Sequence, residues 1–165
     1  MIRPASLVLG IDPGTAVTGF GVVERDARGR VTLVECGVIR TVPSLPLSVR
    51  IRDIYEGVAE LIERHRPTSI SVEDVFLGKN SRSALSLGHA RGAILLAAAL
   101  RDLPISEYTP REIKKAVAGN GGATKEQVAY MVQTQLRLRA APAPADAVDG
   151  VAAALCHCLA GTFAR

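Results

Sequence analysis

The chain has 165 residues, enough for one compact domain and short for two. Hydrophobic residues make up 48%, which supplies a sizeable core and excludes disorder over most of the length. A net charge of +4 permits an anionic partner without demanding one, and 4% aromatic residues with no Trp argue against recognition through many stacked bases.

Leu7-Val8-Leu9-Gly10-Ile11 is a short apolar run ending in Asp12-Pro13-Gly14, a strand followed by a turn. Thr18 to Glu24 and Val31 to Val42 read as two more strands joined by the polar turn Asp26-Ala27-Arg28-Gly29, an antiparallel meander. The pattern then changes to helical spacing at Ile51, Ile54, Val58, Leu61 and Ile62, and that helix stops before Pro67. Ser69 to Glu73 is a fourth strand, a second helix follows from about Ser81 to Arg101, and Ile105 to Tyr108 is a fifth strand. Thr109-Pro110-Arg111-Glu112 carries a capping box, with Thr109 as N-cap and Pro110 at the first helical position. Thr124 and Gln127 repeat that logic before a helix to about Leu138. Ala140-Ala141-Pro142-Ala143-Pro144 is a stiff linker, and a last helix runs from about Ala145 to Phe163. The expected fold is α/β, a mixed five-stranded sheet flanked by helices, in a single domain over residues 1–165.

Cys36, Cys156 and Cys158 match no zinc framework. Cys156 and Cys158, two apart on a helix, point to nearly opposite sides and cannot grip one metal. Core thiols in a reducing cytoplasm account for all three. Met1 leads straight into a strand-like run without a signal-peptide pattern, and the longest uncharged apolar stretch, Gly92 to Leu100, is far below the ~20 residues of a bilayer span. A soluble cytoplasmic protein is expected.

The chemistry is expected at strand ends. Asp12 closes the first strand and Glu73 the fourth, and in an open α/β sheet those ends border the usual binding crevice. If the two strands are neighbours, about 4.8 Å apart, the carboxylates converge. Asp146 and Asp149 share a face at the start of the last helix and are the only acids after Glu126. Each has a plainer reading: Asp12 as a turn opener, Asp146 and Asp149 as charges favoured at a helix N-terminus. Glu73, ending an apolar strand, is harder to explain without a partner. Four converging carboxylates repel unless cations neutralise them, and oxygen-only ligands favour Mg²⁺ or Mn²⁺ over Zn²⁺. Two such ions suit in-line attack of water on a phosphodiester.

All four lysines, Lys79, Lys114, Lys115 and Lys125, fall in one stretch. Gly119-Asn120-Gly121-Gly122 before Lys125 is a bend whose amides could hold phosphate. For Lys115 a solvated surface is the simpler account. Phe76, in the loop before Lys79, reads equally as a small core plug or a base-stacking wedge.

Leu9-Gly10-Ile11-Asp12-Pro13-Gly14 with Thr18-Gly19-Phe20-Gly21-Val22, and Val72-Glu73-Asp74-Val75-Phe76, resemble the RuvC Holliday junction resolvases. So do Lys79-Asn80, Leu87-Gly88-His89-Ala90-Arg91-Gly92 and Ala145-Asp146-Ala147-Val148-Asp149, in the right order from Leu7 to about Leu159. The resemblance implies a ribonuclease H-like fold and a structure-selective endonuclease that resolves four-way DNA junctions in recombination and repair. It puts the catalytic, metal-binding carboxylates on Asp12, Glu73, Asp146 and Asp149, and the basic residues near the scissile phosphate on Lys114 and Lys125. DNA contacts are expected from Phe76, Lys79, Asn80, Arg82 and Lys115. It also implies two Mg²⁺ per site, replaceable by Mn²⁺, nicks with 5′-phosphate and 3′-hydroxyl ends, and the RuvA–RuvB branch-migration motor as partner. Two symmetric cuts favour a homodimer, in whose interface the Ser81–Arg101 helix could lie, although core packing explains its composition equally well. Asp74 departs from the pattern by adding a charge beside Glu73. An actin-like or sugar-kinase ATPase, which shares the Asp12-Pro13-Gly14 loop, would need a second domain for which the chain has no room. A catalytically silent junction-binding protein would be marked by a lost carboxylate, and none is missing.

Overall fold

The computed structural model describes residues 5–74 and 80–160. Its elements are β1 (Ser6–Asp12), β2 (Val17–Arg25), β3 (Val31–Arg40), α1 (Leu47–His65), β4 (Ser69–Glu73), α2 (Ser81–Ala99), β5 (Ile105–Tyr108), α3 (Pro110–Ala118), α4 (Lys125–Gln135) and α5 (Ala145–Ala160). The strands form one sheet in the order β3-β2-β1-β4-β5. The meander β1-β2-β3 is antiparallel, and β4 and β5 continue it in parallel. Thus β1 and β4 are neighbours, as the convergence of Asp12 and Glu73 requires.

Alternation along the strands gives the sheet two apolar faces. Leu9, Ile11, Phe20, Val22, Ile70 and Val72 pack against Ile54, Val58 and Ile94 of α1 and α2. On the other face, Val8 and Val23 pack with α3, α4 and α5 through Val117, Val132, Val151 and Leu155. Both α3 and α4 begin at the capping boxes read from Thr109 and Thr124.

The helix α5 lies unusually close to β1 and β2, and glycine makes this possible. A Cβ at Gly10 would stand 2.2 Å from the Gly150 carbonyl oxygen, and one at Gly19 2.0 Å from that of Asp146. Gly19 is the register partner of Asp12. The start of α5 is therefore pressed onto the sheet beside Asp12. Ser71, fully buried on β4, fastens the same helix by donating its hydroxyl to the Ala153 carbonyl at 2.7 Å.

Three element ends fall short of the sequence reading. The strand β3 stops at Arg40 rather than Val42, because Thr41 turns in to donate its hydroxyl to the Thr15 carbonyl at 2.5 Å. The helix α2 ends at Ala99 rather than Arg101: the chain reverses at Asp102 (φ 51°), and Arg101 donates to the Ala97 carbonyl at 3.2 Å. The helix α4 ends at Gln135 rather than near Leu138, since the Gln133 amide reaches past it to the Leu138 and Arg139 carbonyls. Cys156 and Cys158 are both buried core thiols, and Cys36 is half-buried. Phe163 lies outside the described residues.

Candidate active site

Asp12, Glu73 and Asp149 line one cleft of about 190 Å³, together with Pro110, Lys114 and Lys125. They arrive from the carboxyl ends of adjacent strands β1 and β4, from the start of α5, and from α3 and α4. The turn after Asp12 is firmly held. The buried Thr18 hydroxyl donates to the Gly14 carbonyl at 2.8 Å, and Arg50 donates to the Thr15 carbonyl at 2.8 Å.

The carboxylates are poorly compensated. Burial, followed by the charge of Asp149, pushes Asp12 from 3.8 up to about 7, with Asp146 adding to the rise. Burial, then Asp12 and Asp149, pushes Glu73 from 4.5 up to about 8. Lys125 opposes both shifts, and Lys114 opposes that of Glu73. The Lys125 Nζ stands 3.4 Å from Asp149 Oδ2, and that carboxylate raises the lysine in turn. Among the described residues no three His, Cys, Asp or Glu side chains are gathered tightly around one point, as befits like charges sharing a cleft. The donor set nevertheless fits a hard divalent cation. It is all oxygen, partly buried, and contains two carboxyls whose protons a cation would replace.

The remaining expected site residues divide. Asp146 is exposed at the rim, outside the lining of the cleft but within electrostatic reach of Asp12. Lys115 lines a neighbouring groove on the far side of α3 with Arg111 and Asn120, rather than the carboxylate cleft. The phosphate cradle expected from the glycine bend is mostly closed. The Gly122 amide donates to Asn120 Oδ1, the Ala123 amide to the Asn120 carbonyl and the Thr124 amide to Gln127 Oε1. Asn80 caps α2, its side-chain oxygen accepting from the Arg82 and Ser83 amides at 3.1 and 3.3 Å, and Arg82 is exposed on the first turn. Phe76 and Lys79 lie outside the described residues.

Sequence reasoning assigned no role to Gly19 and Gly150, although their close approach to neighbouring backbone positions the start of α5. The recurrence of glycine at Gly10, Gly19 and Gly21 on one sheet face was the available signal. A larger hollow of about 630 Å³, near the turn between β2 and β3, is lined by Asp26, Arg30 and Arg137. Its two acids, Glu24 and Asp26, come from the end of β2 and the turn after it, and Asp26 pairs with Arg30 at 2.7 Å.

The family model for crossover junction endodeoxyribonuclease RuvC matches residues 8–157. The chain belongs to the RuvC family. It is 51% identical over 159 residues to the crossover junction endodeoxyribonuclease RuvC of Pelotomaculum thermopropionicum, covering 96% of each chain. The Thermus thermophilus RuvC structure superposes with a TM-score of 0.87 at 37% identity, covering 95% of this chain and 96% of that one. T. thermophilus RuvC in complex with Holliday junction substrate gives 0.86 at 34% identity, with the same coverage. The mixed sheet is accordingly ribonuclease H-like, and metal-dependent cleavage goes with RuvC membership.

Proposed function

We propose that this chain resolves four-way DNA junctions by paired symmetric nicks, with Asp12, Glu73, Asp146 and Asp149 as its metal-binding carboxylates. The observation that carries the reading is the cleft itself, where three of these carboxylates meet two lysines and two of them hold protons to about pH 7 and 8. Two Mg²⁺ ions, or Mn²⁺ in their place, would supply an activated water and neutralise charge on the leaving 3′ oxygen. Asp12 and Glu73 would hold the metal as carboxylates, releasing their protons to water. Lys125 and Lys114 offset the negative charge that builds on the phosphate, the former from beside Asp149. Lys115 and Arg111 offer cations to the neighbouring backbone, because Glu112, which shares their groove, is engaged with the Thr109 amide and hydroxyl at 2.8 Å.

Two cuts need two sites, and a C₂ homodimer supplies them. The helix α2 supports that arrangement. It buries Ala90, Ala93, Ile94 and Ala97 against the sheet, while Leu85 and Leu96 stay exposed on a face where a Cβ at Gly88 or Gly92 would touch nothing. The helix therefore serves the core on one side and is free to meet its symmetry mate on the other. Among the described residues no helix is long and apolar enough to cross a membrane. Action on DNA in the bacterial cytoplasm, alongside the RuvA–RuvB motor, completes the reading.

An end-labelled mobile four-way junction and a matching linear duplex, incubated with Mg²⁺, Mn²⁺ or EDTA, test it. Symmetric nicks on the junction alone, absent in EDTA and with Asp149→Asn, are expected. Tight junction binding without nicks under either metal would instead indicate a silent junction-binding protein.

A further inference from the structure

On the side of the sheet away from the cleft, a single arginine ties together the ends of the two strands that frame Glu73. Arg91 projects from α2 with only 20% of its side chain exposed. Its Nη2 lies 3.2 Å from Asp74 Oδ1 and also contacts the Glu107 carboxylate. Asp74 follows Glu73 directly, and Glu107 sits opposite Val72 in the β4–β5 register. The Asp74 amide donates to the Tyr108 carbonyl at 2.8 Å, so the pairing of β4 with β5 runs one step past Glu73. Side chains alternate across a strand, so Glu73 faces the cleft while Asp74 and Glu107 face α2.

We propose that Arg91 is a positioning residue for Glu73, clamping the ends of β4 and β5 through Asp74 and Glu107 so that the Glu73 carboxylate stays in place for metal. The charge that Asp74 adds beside Glu73 is thereby directed to the opposite face and matched there. Without the guanidinium, Asp74 and Glu107 lose the largely buried cation they share at adjacent strand ends. The strand ends then move apart, and the only group the cleft draws from β4 moves with them. A displacement of about 1 Å at a reacting centre costs on the order of a hundredfold in rate, and a partial displacement correspondingly less.

The inference rests on the nuclease reading above, and its test separates the two. Arg91→Met, Arg91→Lys and the triple variant Asp74→Asn/Arg91→Met/Glu107→Gln are compared with the unaltered chain. The measurements are junction affinity in EDTA, the Mg²⁺ concentration giving half of the metal-induced rise in Tm, and the single-turnover cleavage rate. Arg91→Met is expected to slow cleavage about tenfold and raise the half-saturating Mg²⁺ severalfold, leaving junction affinity within about twofold. Neutralising both acids as well, in the triple variant, recovers most of the loss in both metal response and rate. Arg91→Lys keeps the charge on a shorter stem that brings its ammonium less well to both carboxylates, and falls between. If Arg91→Met does not fold, the lysine and triple variants carry the test alone. Unchanged metal response in Arg91→Lys, a triple variant as impaired as Arg91→Met, or junction affinity falling in parallel with rate would each overturn the clamp. Failure of the unaltered chain to cut the junction would overturn the nuclease reading instead.

Discussion

The two ends of the molecule treat charge in opposite ways. Around the end of α1, cations meet acids: Arg64 pairs with Glu35 at 2.8 Å and Glu60 at 3.2 Å, and Arg101 pairs with Glu63 at 2.6 Å. His65 contacts Glu35 as well. In the cleft, Asp12, Glu73 and Asp149 face one another, and the nearest ion pair is the longer 3.4 Å contact of Lys125 with Asp149. Like charges held together in a partly buried place lower stability, a cost that the proposed metal would offset. The contrast separates ion pairs that hold the chain together from the carboxylates proposed to bind metal.

The sharpest way to break this contrast is Asp12→Asn. It removes one of the repelling carboxyls and the donor that β1 contributes. Cleavage of a four-way junction should fall by about a thousandfold or more, while Tm in EDTA rises by a few degrees. A variant that lost both activity and stability would show that Asp12 is a structural acid like those around α1. Lys125→Ala probes the same cleft from the cationic side. Because the side chain is 81% exposed, its removal should leave Tm nearly unchanged while slowing cleavage about a hundredfold. An equal loss of junction affinity would make it a general DNA contact instead.

Much of the fold was legible because its signals are local. Asp12-Pro13-Gly14 and the two capping boxes mark element boundaries through turn and cap chemistry, and the structure places β1, α3 and α4 there. Asp12 and Glu73 stood out because acids at strand ends break apolar runs, and the structure brings both into one cleft. What stayed hidden was tertiary. Nothing near Gly19 announces that the Asp146 carbonyl sits where its Cβ would be, and nothing near Arg91 names Asp74 and Glu107 as its partners. The glycine bend before Lys125 misled for a related reason. Its composition suits a phosphate cradle, yet Asn120 and Gln127 satisfy most of its amides from within the loop.

The same contrast has a pH signature. Asp12 and Glu73 keep their protons in the folded chain up to about 7 and 8, whereas in the unfolded chain they release them near 3.8 and 4.5. Between those limits the folded state binds more protons, so this contribution to stability is complete at the acid end and is lost as pH rises. Metal-free protein should therefore lose roughly 4 °C or more in Tm between pH 5 and 8.5, and saturating Mg²⁺ should restore most of it at the upper end. Glu112, held below its ordinary value by the Thr109 amide and hydroxyl, acts with the opposite sign and only under more acid conditions. A metal-free Tm that rose over this interval would mean that the cleft carboxylates ionise normally.

The smallest effect belongs to the compensated end. Arg64→Ala removes two ion pairs, but Arg64 is 47% exposed and Glu60 is 73% exposed, so water already competes for both charges. Such pairs contribute about 0–1 kcal/mol each, and salt weakens them further. His65, only 13% exposed, still holds Glu35 after the substitution. At the middle of that range Tm should fall by about 2–4 °C, and less in high salt, with junction cleavage and Mg²⁺ response as in the unaltered chain. A loss of cleavage at constant Tm would place functional charge at the α1 end too, and the division between the two ends would no longer hold.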